Sequence, residues 1–269
     1  MKEKELKMIR EVRKNDKASF LVGTAHFFPY SFRSSLIRYI KNARTVIFEG
    51  PLDQENMDRV VRAGVAEAKA PHIFDALDRQ TTARIVRALV LPGSIRIPSF
   101  FYLLSTNTEK TVYDMVKGMK PWMAFFTIWS SFLEKRGWRN SVDLEAYRIA
   151  GELDRNIVFL ETIEEQIKVL ENLSYEKIIG FLKRIDQWND YAHSYMKYYL
   201  NGDLEKIISM GTRIPSRNYQ AIDRRDKIFF ERMINYFEEG NAIAFVGAPH
   251  VVGISEMFRE RGYEMAKIK

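Results

Sequence analysis

The sequence predicts an α/β fold: a mixed, largely parallel central sheet built from N- and C-terminal βαβ-like segments, with a large helical insert between them. Three observations predict it. First, Phe20-Leu21-Val22 runs into Gly23-Thr24-Ala25-His26, and Ala244-Phe245-Val246 runs into Gly247-Ala248-Pro249-His250. The two ends thus carry near-copies of one pattern, a β-branched and aromatic run closed by Gly-x-x-His, which reads as a buried strand ending in a tight turn. Second, the first quarter alternates strand, helix, strand, the pattern of a parallel pair. Third, the long middle of the chain is dominated by apolar residues at helical spacing.

Taken in order, Ala18 to Val22 is the first strand, and Ser31-Phe32-Arg33-Ser34-Ser35 opens a helix through about Asn42. Thr45-Val46-Ile47-Phe48 is the second strand and ends at Glu49-Gly50-Pro51. If the two are parallel, His26 and Glu49 share one rim of the sheet. Gln54 to Gly151 is mostly helical, with breaks at Pro71, Pro92-Gly93, Pro98 and before Pro121. Its stripe of Met115, Met119, Trp122, Met123, Phe126 and Trp129 reads as buried core, with the wall of a substrate groove as the alternative. Asn156 to Leu160 is a third strand, ending at Glu161-Thr162. Helices follow over Ile163 to Asn172 and Ser174 to Leu200, and Asn201-Gly202-Asp203 is a helix stop with a new N-cap behind it. A helix over Ala221 to Glu239 leads into the strand Ala242 to Val246, and the chain closes with a helix over Ile254 to Arg261 and a final strand, Tyr263 to Ile268. No linker rich in Pro, Gly or Ser divides the chain. The expectation is therefore one domain over residues 1–269, with 55–155 and 163–240 mainly helical.

Composition removes several function classes. An apolar fraction of 46% describes a packed globular chain rather than a disordered one. Cysteine is absent, which excludes disulfides and any cysteine-based zinc or iron–sulfur site. The net charge of +7 permits affinity for anions, but bases alternate with acids, as in Lys2-Glu3-Lys4-Glu5 and Asp223-Arg224-Arg225-Asp226. That is a solvated face, and specific nucleic-acid binding is not expected. Met1 to Lys17 is charged throughout with no apolar h-region, and no apolar run is long enough to span a bilayer, so a cytoplasmic location with no integral membrane segment is expected. There is no Gly-x-Ser-x-Gly elbow, His-Glu-x-x-His helix, phosphate-binding loop or dinucleotide fingerprint.

Four polar residues fall just past the predicted strands: His26, Glu49, Glu161 and His250. In open α/β sheets, ligands sit outside the carboxyl ends of strands. Imidazoles and carboxylates there suit Mn, Co, Fe or Zn, and a metal so held lowers the pKa of bound water. Without a metal, a His–Glu pair still serves as base and orienter. Each residue alone also reads as an ordinary structural group or a solvated turn. The repetition of Gly-x-x-His is what lifts His26 and His250 above that reading. His72 and His193, in helical stretches, read as structural.

These segments resemble the TraB/PrgY–GumN–TIKI family over nearly the whole chain. The resemblance rests on Phe20 to Pro29, Val46 to Gly50, Val158 to Thr162 with Glu165-Gln166, Asp143 ahead of them, Gly202 to Glu205, Arg225-Asp226, Phe245 to Gly253 and Gly262-Tyr263. It implies a fold akin to the erythromycin-esterase and ChaN superfamily and a hydrolase-like site. TIKI members are described as divalent-metal proteases favouring Mn or Co, PrgY/TraB relatives are linked to inactivating peptide pheromones, and ChaN relatives to haem binding. By resemblance, His26, Glu49 and His250 are the implied metal or catalytic residues, with Glu161 as a further ligand or base. Arg225, a planar bidentate donor, is expected to steady a carboxylate or oxyanion. Two departures stand out. The family commonly has Arg-Asn where this chain has Arg225-Asp226, and Val251-Val252 follow His250 where a leucine is usual. The absence of the secretion signal and membrane segment of some relatives argues against an extracellular signalling peptide as substrate.

The expectation is therefore a metal-dependent hydrolase, a peptidase, acting on a peptide or small-molecule substrate with Mn or Co favoured and Zn admissible. A homo-oligomer is compatible with it. The alternatives are a non-catalytic protein binding haem, peptide or metal on the same rim, and a metal-free ester or amide hydrolase using His and Glu.

Overall fold

The computed structural model describes residues 2–67, 71–90, 106–211, 214–216 and 219–268. Six strands form one sheet: β1 (Ile9–Lys14), β2 (Lys17–Thr24), β3 (Thr45–Phe48), β4 (Asn156–Phe159), β5 (Ala242–Gly247) and β6 (Glu264–Lys267). Their order is β4-β3-β5-β2-β1-β6. Neighbours β4, β3, β5 and β2 run parallel, and β1 is antiparallel to both β2 and β6. β1 is thus the single strand that opposes the others. The sheet is mixed and largely parallel, as expected, and its central strand β5 comes from the far end of the chain. β3, β5 and the end of β2 read as near-continuous apolar runs because they are covered on both faces, whereas the edge strand β4 is partly exposed. Val46, Ile47, Leu21, Val22, Ile243 and Val246 are all fully buried.

β1 is the strand that the residue pattern did not predict. Residues 1–17 read as a charged terminus, yet Ile9 and Val12 are buried and Arg10 is 7% exposed, its guanidinium donating to the Ile9 and Gly202 carbonyls. An arginine that lays its stem on apolar surface and finds carbonyls for its head behaves as an inward-facing residue. The turn to β2 is made by Asn15 in the left-handed region (φ 54°).

The helices are α1 (Arg33–Ile40), α2 (Gln54–Ala63), α3 (Arg79–Val90), α4 (Thr106–Met115), α5 (Pro121–Glu134), α6 (Val142–Glu152), α7 (Ile163–Glu171), α8 (Tyr175–Lys183), α9 (Trp188–Asn201), α10 (Leu204–Gly211), α11 (Tyr219–Glu239) and α12 (His250–Glu260). Of the expected breaks, Pro92, Gly93 and Pro98 lie outside the described residues. The long helix predicted over Ser174 to Leu200 is two helices. The Trp188 indole N–H donates to the Phe181 carbonyl, and Arg184 N bonds that same carbonyl, so a short 3₁₀ turn replaces the α-helical ladder there. The stop at Asn201 is as expected: Gly202 takes φ 67° and the Asp203 carboxylate accepts from Lys206 N. The aromatic stripe is mainly core. Trp122 is buried and Trp129 packs on Phe132, Phe181 and Trp188. α12 starts at His250, four residues before the predicted Ile254. The turn after β5 is pinned by Ala248 N donating to the Thr24 carbonyl, so the helix starts directly at the sheet rim. Val251-Val252-Gly253, poor helix formers by propensity, lie in its first turn because packing fixes them there: Val251 is fully buried.

One face of the β3–β5 pair presents Phe48 stacked on Phe245, with Tyr147 of α6 edge-on to Phe48. α6 therefore sits over the same end of the sheet as the predicted site. Its N-terminus is capped by Ser141, whose hydroxyl accepts from Leu144 N and donates to the Asp143 carboxylate. Among the described residues, no helix is long and apolar enough to cross a membrane.

Candidate functional site

Parallel strands β2, β3, β4 and β5 end on one rim, and their continuations deliver His26, Glu49, Glu161 and His250 to it. Glu161 N donates to the Glu49 carbonyl at 2.7 Å, which extends the β3–β4 pairing one step beyond the strands and fixes the two carboxylates side by side. All five residues predicted from sequence, His26, Glu49, Glu161, Arg225 and His250, line one open cavity of about 680 Å³. Its polar end is this cluster. Its apolar wall includes Leu52, Val60, Phe126, Leu170 and Leu173, so Phe126 is the one member of the aromatic stripe that also faces the site.

Two histidine–carboxylate pairs organise the rim. His26 Nδ1 lies 2.6 Å from the Asp143 carboxylate, which is further held by the Ser141 and Thr24 hydroxyls. The His26 side chain is 72% exposed, whereas Asp143 is buried. With Nδ1 tied to Asp143, Nε2 is the ring nitrogen left for the cavity. The Asp143 charge raises the His26 pKa to about 9, against the opposing effect of desolvation. Burial pushes the Asp143 carboxyl up, but the His26 charge and the hydrogen bonds from His26 and Ser141 leave it below its ordinary value.

The second pair is buried. His250 Nδ1 lies 2.6 Å from Asp226 of α11. Arg225 Nη1, a donor only, lies 3.2 Å from His250 Nε2, so Nε2 accepts and Nδ1 carries the hydrogen given to Asp226. Burial raises the Asp226 pKa above its ordinary value despite the His250 contact. The approach is close: a Cβ at Gly253, one turn beyond His250 on α12, would clash with Asp226 Oδ2. The position therefore excludes any side chain while Asp226 is so placed.

Arg225 is the hub of the cluster. Nη2 donates to Glu161 Oε1 at 2.6 Å and to Glu49 Oε2 at 3.0 Å, and Nε to Glu161 Oε2 at 3.3 Å. The Phe229 ring lies 4.8 Å from the guanidinium. Glu49 Oε1 also accepts the Gly247 backbone N–H at 2.5 Å, which ties β3 to the end of β5. Burial raises the Glu49 pKa, but Arg225, His250 and the Gly247 N–H together bring it below its ordinary value. Burial lifts the Glu161 pKa, opposed by Arg225 and Gln166 and reinforced by the neighbouring Glu49 charge, and the net shift is upward. The two carboxylates raise Arg225 further, against its own burial.

Outside this core, Thr162 and Glu165 form a capping box on α7, and Glu165 is held by Arg232 through two bonds of 2.8 Å. Gln166 hydrogen-bonds Glu161 and fills the space beside Gly50, where a Cβ would meet its amide. The Leu-Glu-Thr segment with its Glu-Gln is thus one device that seats Glu161. His72 caps a 3₁₀ turn and stacks 3.5 Å from Tyr113, and His193 bonds the Asn189 carbonyl. Neither lines the cavity. The sequence alone assigns no role to Asp143 or Asp226. Only the three-dimensional pairing with the two histidines supplies one.

The donor set of the rim meets the needs of a divalent ion only in part. In its favour, each imidazole has Nδ1 on a carboxylate, the support that metal-bound histidines usually have. Against it, His250 Nε2 and both glutamates are turned onto the Arg225 guanidinium. Among the described residues, no group of three or more His, Asp or Glu side chains converges to hold an ion. His26, Glu49 and His250 as arranged do not fit a shared metal while Arg225 is seated among them.

A family model described as the TraB/PrgY/gumN family matches residues 8–267. The searches of curated proteins and of solved structures returned no match.

Proposed function

The chain belongs to the TraB/PrgY/gumN family, and from that premise we propose that it is a hydrolase of peptide, amide or ester bonds in which the His26–Asp143 pair moves the proton. The observation that carries this reading is the pair itself. A buried carboxylate orients an imidazole whose other nitrogen is left for a cavity with one polar and one apolar end. With its pKa raised to about 9, His26 is a base only in its neutral form, a minority at pH 7, so turnover by this route rises with pH up to about 9. In that form Nε2 takes a proton from water as the water oxygen bonds to the substrate carbonyl carbon. The carbonyl oxygen gains the electron pair and is stabilised by Arg225. Four of the five guanidinium N–H groups are used by Glu161, Glu49 and His250, which leaves one Nη1 N–H for the substrate side. As the tetrahedral species collapses, His26 returns the proton to the leaving nitrogen or oxygen, and an acid and an amine or alcohol are released. Glu49 and Glu161 act by holding Arg225, and Asp226 by holding His250. The apolar wall around Phe126, Val60 and Leu170 favours a substrate with an apolar group next to the scissile carbonyl.

The test is a panel of chromogenic esters and short peptides with apolar flanks, run on the unmodified chain, His26→Ala and Arg225→Lys, with and without chelator. Turnover that is abolished in His26→Ala and survives chelator supports the reading, and full turnover in His26→Ala sinks it. The metal-dependent form, with His26, Glu49 and His250 binding Mn or Co, requires Arg225 to withdraw. Activity lost in chelator and restored by either ion would favour it. Saturable binding of peptide or haem without turnover would instead favour a binding protein.

A further inference from the structure

We propose that Arg225 is the resident cation of this site: its guanidinium stands between Glu49, Glu161 and His250 where a divalent ion would sit, and it keeps such an ion out. The three groups come from three separate elements, the ends of β3 and β4 and the start of α12, yet all point at one side chain. Glu161 takes it in a two-point fork at 2.6 and 3.3 Å, Glu49 at 3.0 Å and His250 Nε2 at 3.2 Å. These spacings suit a flat, wide cation. A bare ion requires the same atoms to contract to roughly 2.0–2.2 Å. The guanidinium does not titrate away in any ordinary pH range, so the place is not vacated by deprotonation. It is also fixed from behind by the Phe229 ring, and its chain neighbour Asp226 is anchored to His250 and packed against Gly253. Two carboxylates facing one monovalent group keep the cluster net anionic. Without Arg225, its composition is that of a Glu₂His ion site.

This inference concerns the cavity of the proposed hydrolysis but is tested without substrate, so the two readings fail separately. Titrate the unmodified chain, Arg225→Met and Arg225→Lys with cobalt(II) and manganese(II), following the cobalt visible spectrum, calorimetry and the melting temperature. The unmodified chain and Arg225→Lys are expected to leave the spectrum of aqueous cobalt unchanged. Arg225→Met is expected to bind one ion per chain at least about tenfold more tightly than the unmodified chain, a gain of about 1.4 kcal/mol. Its melting temperature should rise with either ion, and both effects should vanish when Glu49→Gln and Glu161→Gln are added. One ion bound per unmodified chain and lost in Glu49→Gln and His250→Ala would overturn the proposal, and so would a folded Arg225→Met that binds no better. If Arg225→Met folds only with cobalt or manganese present, the exclusion is supported. If it does not fold even then, the unmodified chain decides.

Discussion

Asp143→Asn tests the chemistry of the rim without requiring a substrate. In the native chain, the Asp143 carboxylate 2.6 Å from Nδ1 raises the His26 pKa from 6.5 to about 9. An asparagine keeps the shape, removes the charge and offers Nδ1–H only a neutral acceptor. The interval between those two values is the ceiling for the effect. Because His26 is 72% exposed, solvent screens part of it, and the expected fall is about one to two pH units. The assay is an NMR titration of the imidazole signals, which the small number of histidines makes tractable, with His26→Ala for assignment. The sign of the linked stability is also fixed. A raised histidine pKa contributes stability that is complete below about 6.5 and lost as pH rises through about 9. The melting-temperature gap between Asp143→Asn and the unmodified chain should therefore be wide near pH 6 and narrow above pH 9. If His26 titrates near 6.5 in the native chain, or is unmoved by the substitution, the argument for an Asp143-tuned proton carrier fails.

Two further outcomes follow from the packing. In an ordinary helix interior, Gly→Ala stabilises by about 1 kcal/mol, but Gly253→Ala places a methyl on Asp226 Oδ2 and is expected to cost about 1–3 kcal/mol. Chemical denaturation measures it, and an equal or more stable variant refutes the close approach. Thr162→Ala removes the side-chain cap of α7 and should cost about 1 kcal/mol. Thermal melts and the exchange rates of the first α7 amides check this, and unchanged exchange would mean that the cap does not hold the helix start behind Glu161.

What was legible in the sequence is what local chemistry encodes. β2, β3, β4 and β5 each announce themselves as short apolar runs, β3 and β5 because they are covered on both faces and the edge strand β4 by its β-branched and aromatic residues although it is partly exposed. Hence His26, Glu49, Glu161 and His250 are legible as residues just past the ends of these strands. β1 was illegible because a buried arginine reads as a surface residue until its carbonyl partners are known. The early start of α12 was illegible because Val251, Val252 and Gly253 have low helix propensity, and burial overrides it. The same limit hid the roles of Asp143 and Asp226. Each meets its histidine across a distance in the chain that no spacing rule spans. The position of Arg225 could not be read for a similar reason: the sequence shows it beside Asp226, whereas its partners hang from three other elements.

The place of β5 has a consequence for how the molecule comes into being. Its two neighbours, β2 and β3, lie about 200 residues before it in the chain, so the strand that belongs between them is translated long after both. At about 5–20 residues per second, roughly 10 to 45 s of synthesis separates the first neighbour from the strand that joins them. For that interval, β2 and β3 have open edges facing an empty lane, and the emerging chain carries apolar strands without their partner. The pairings that finally close it link residues far apart along the chain, the slowest class to form. His250, Gly247 and the last wall of the cavity arrive with that closure. A nascent chain that has not yet reached β5 and α12 therefore carries no assembled rim, and the cluster around Arg225 forms only once both have been made.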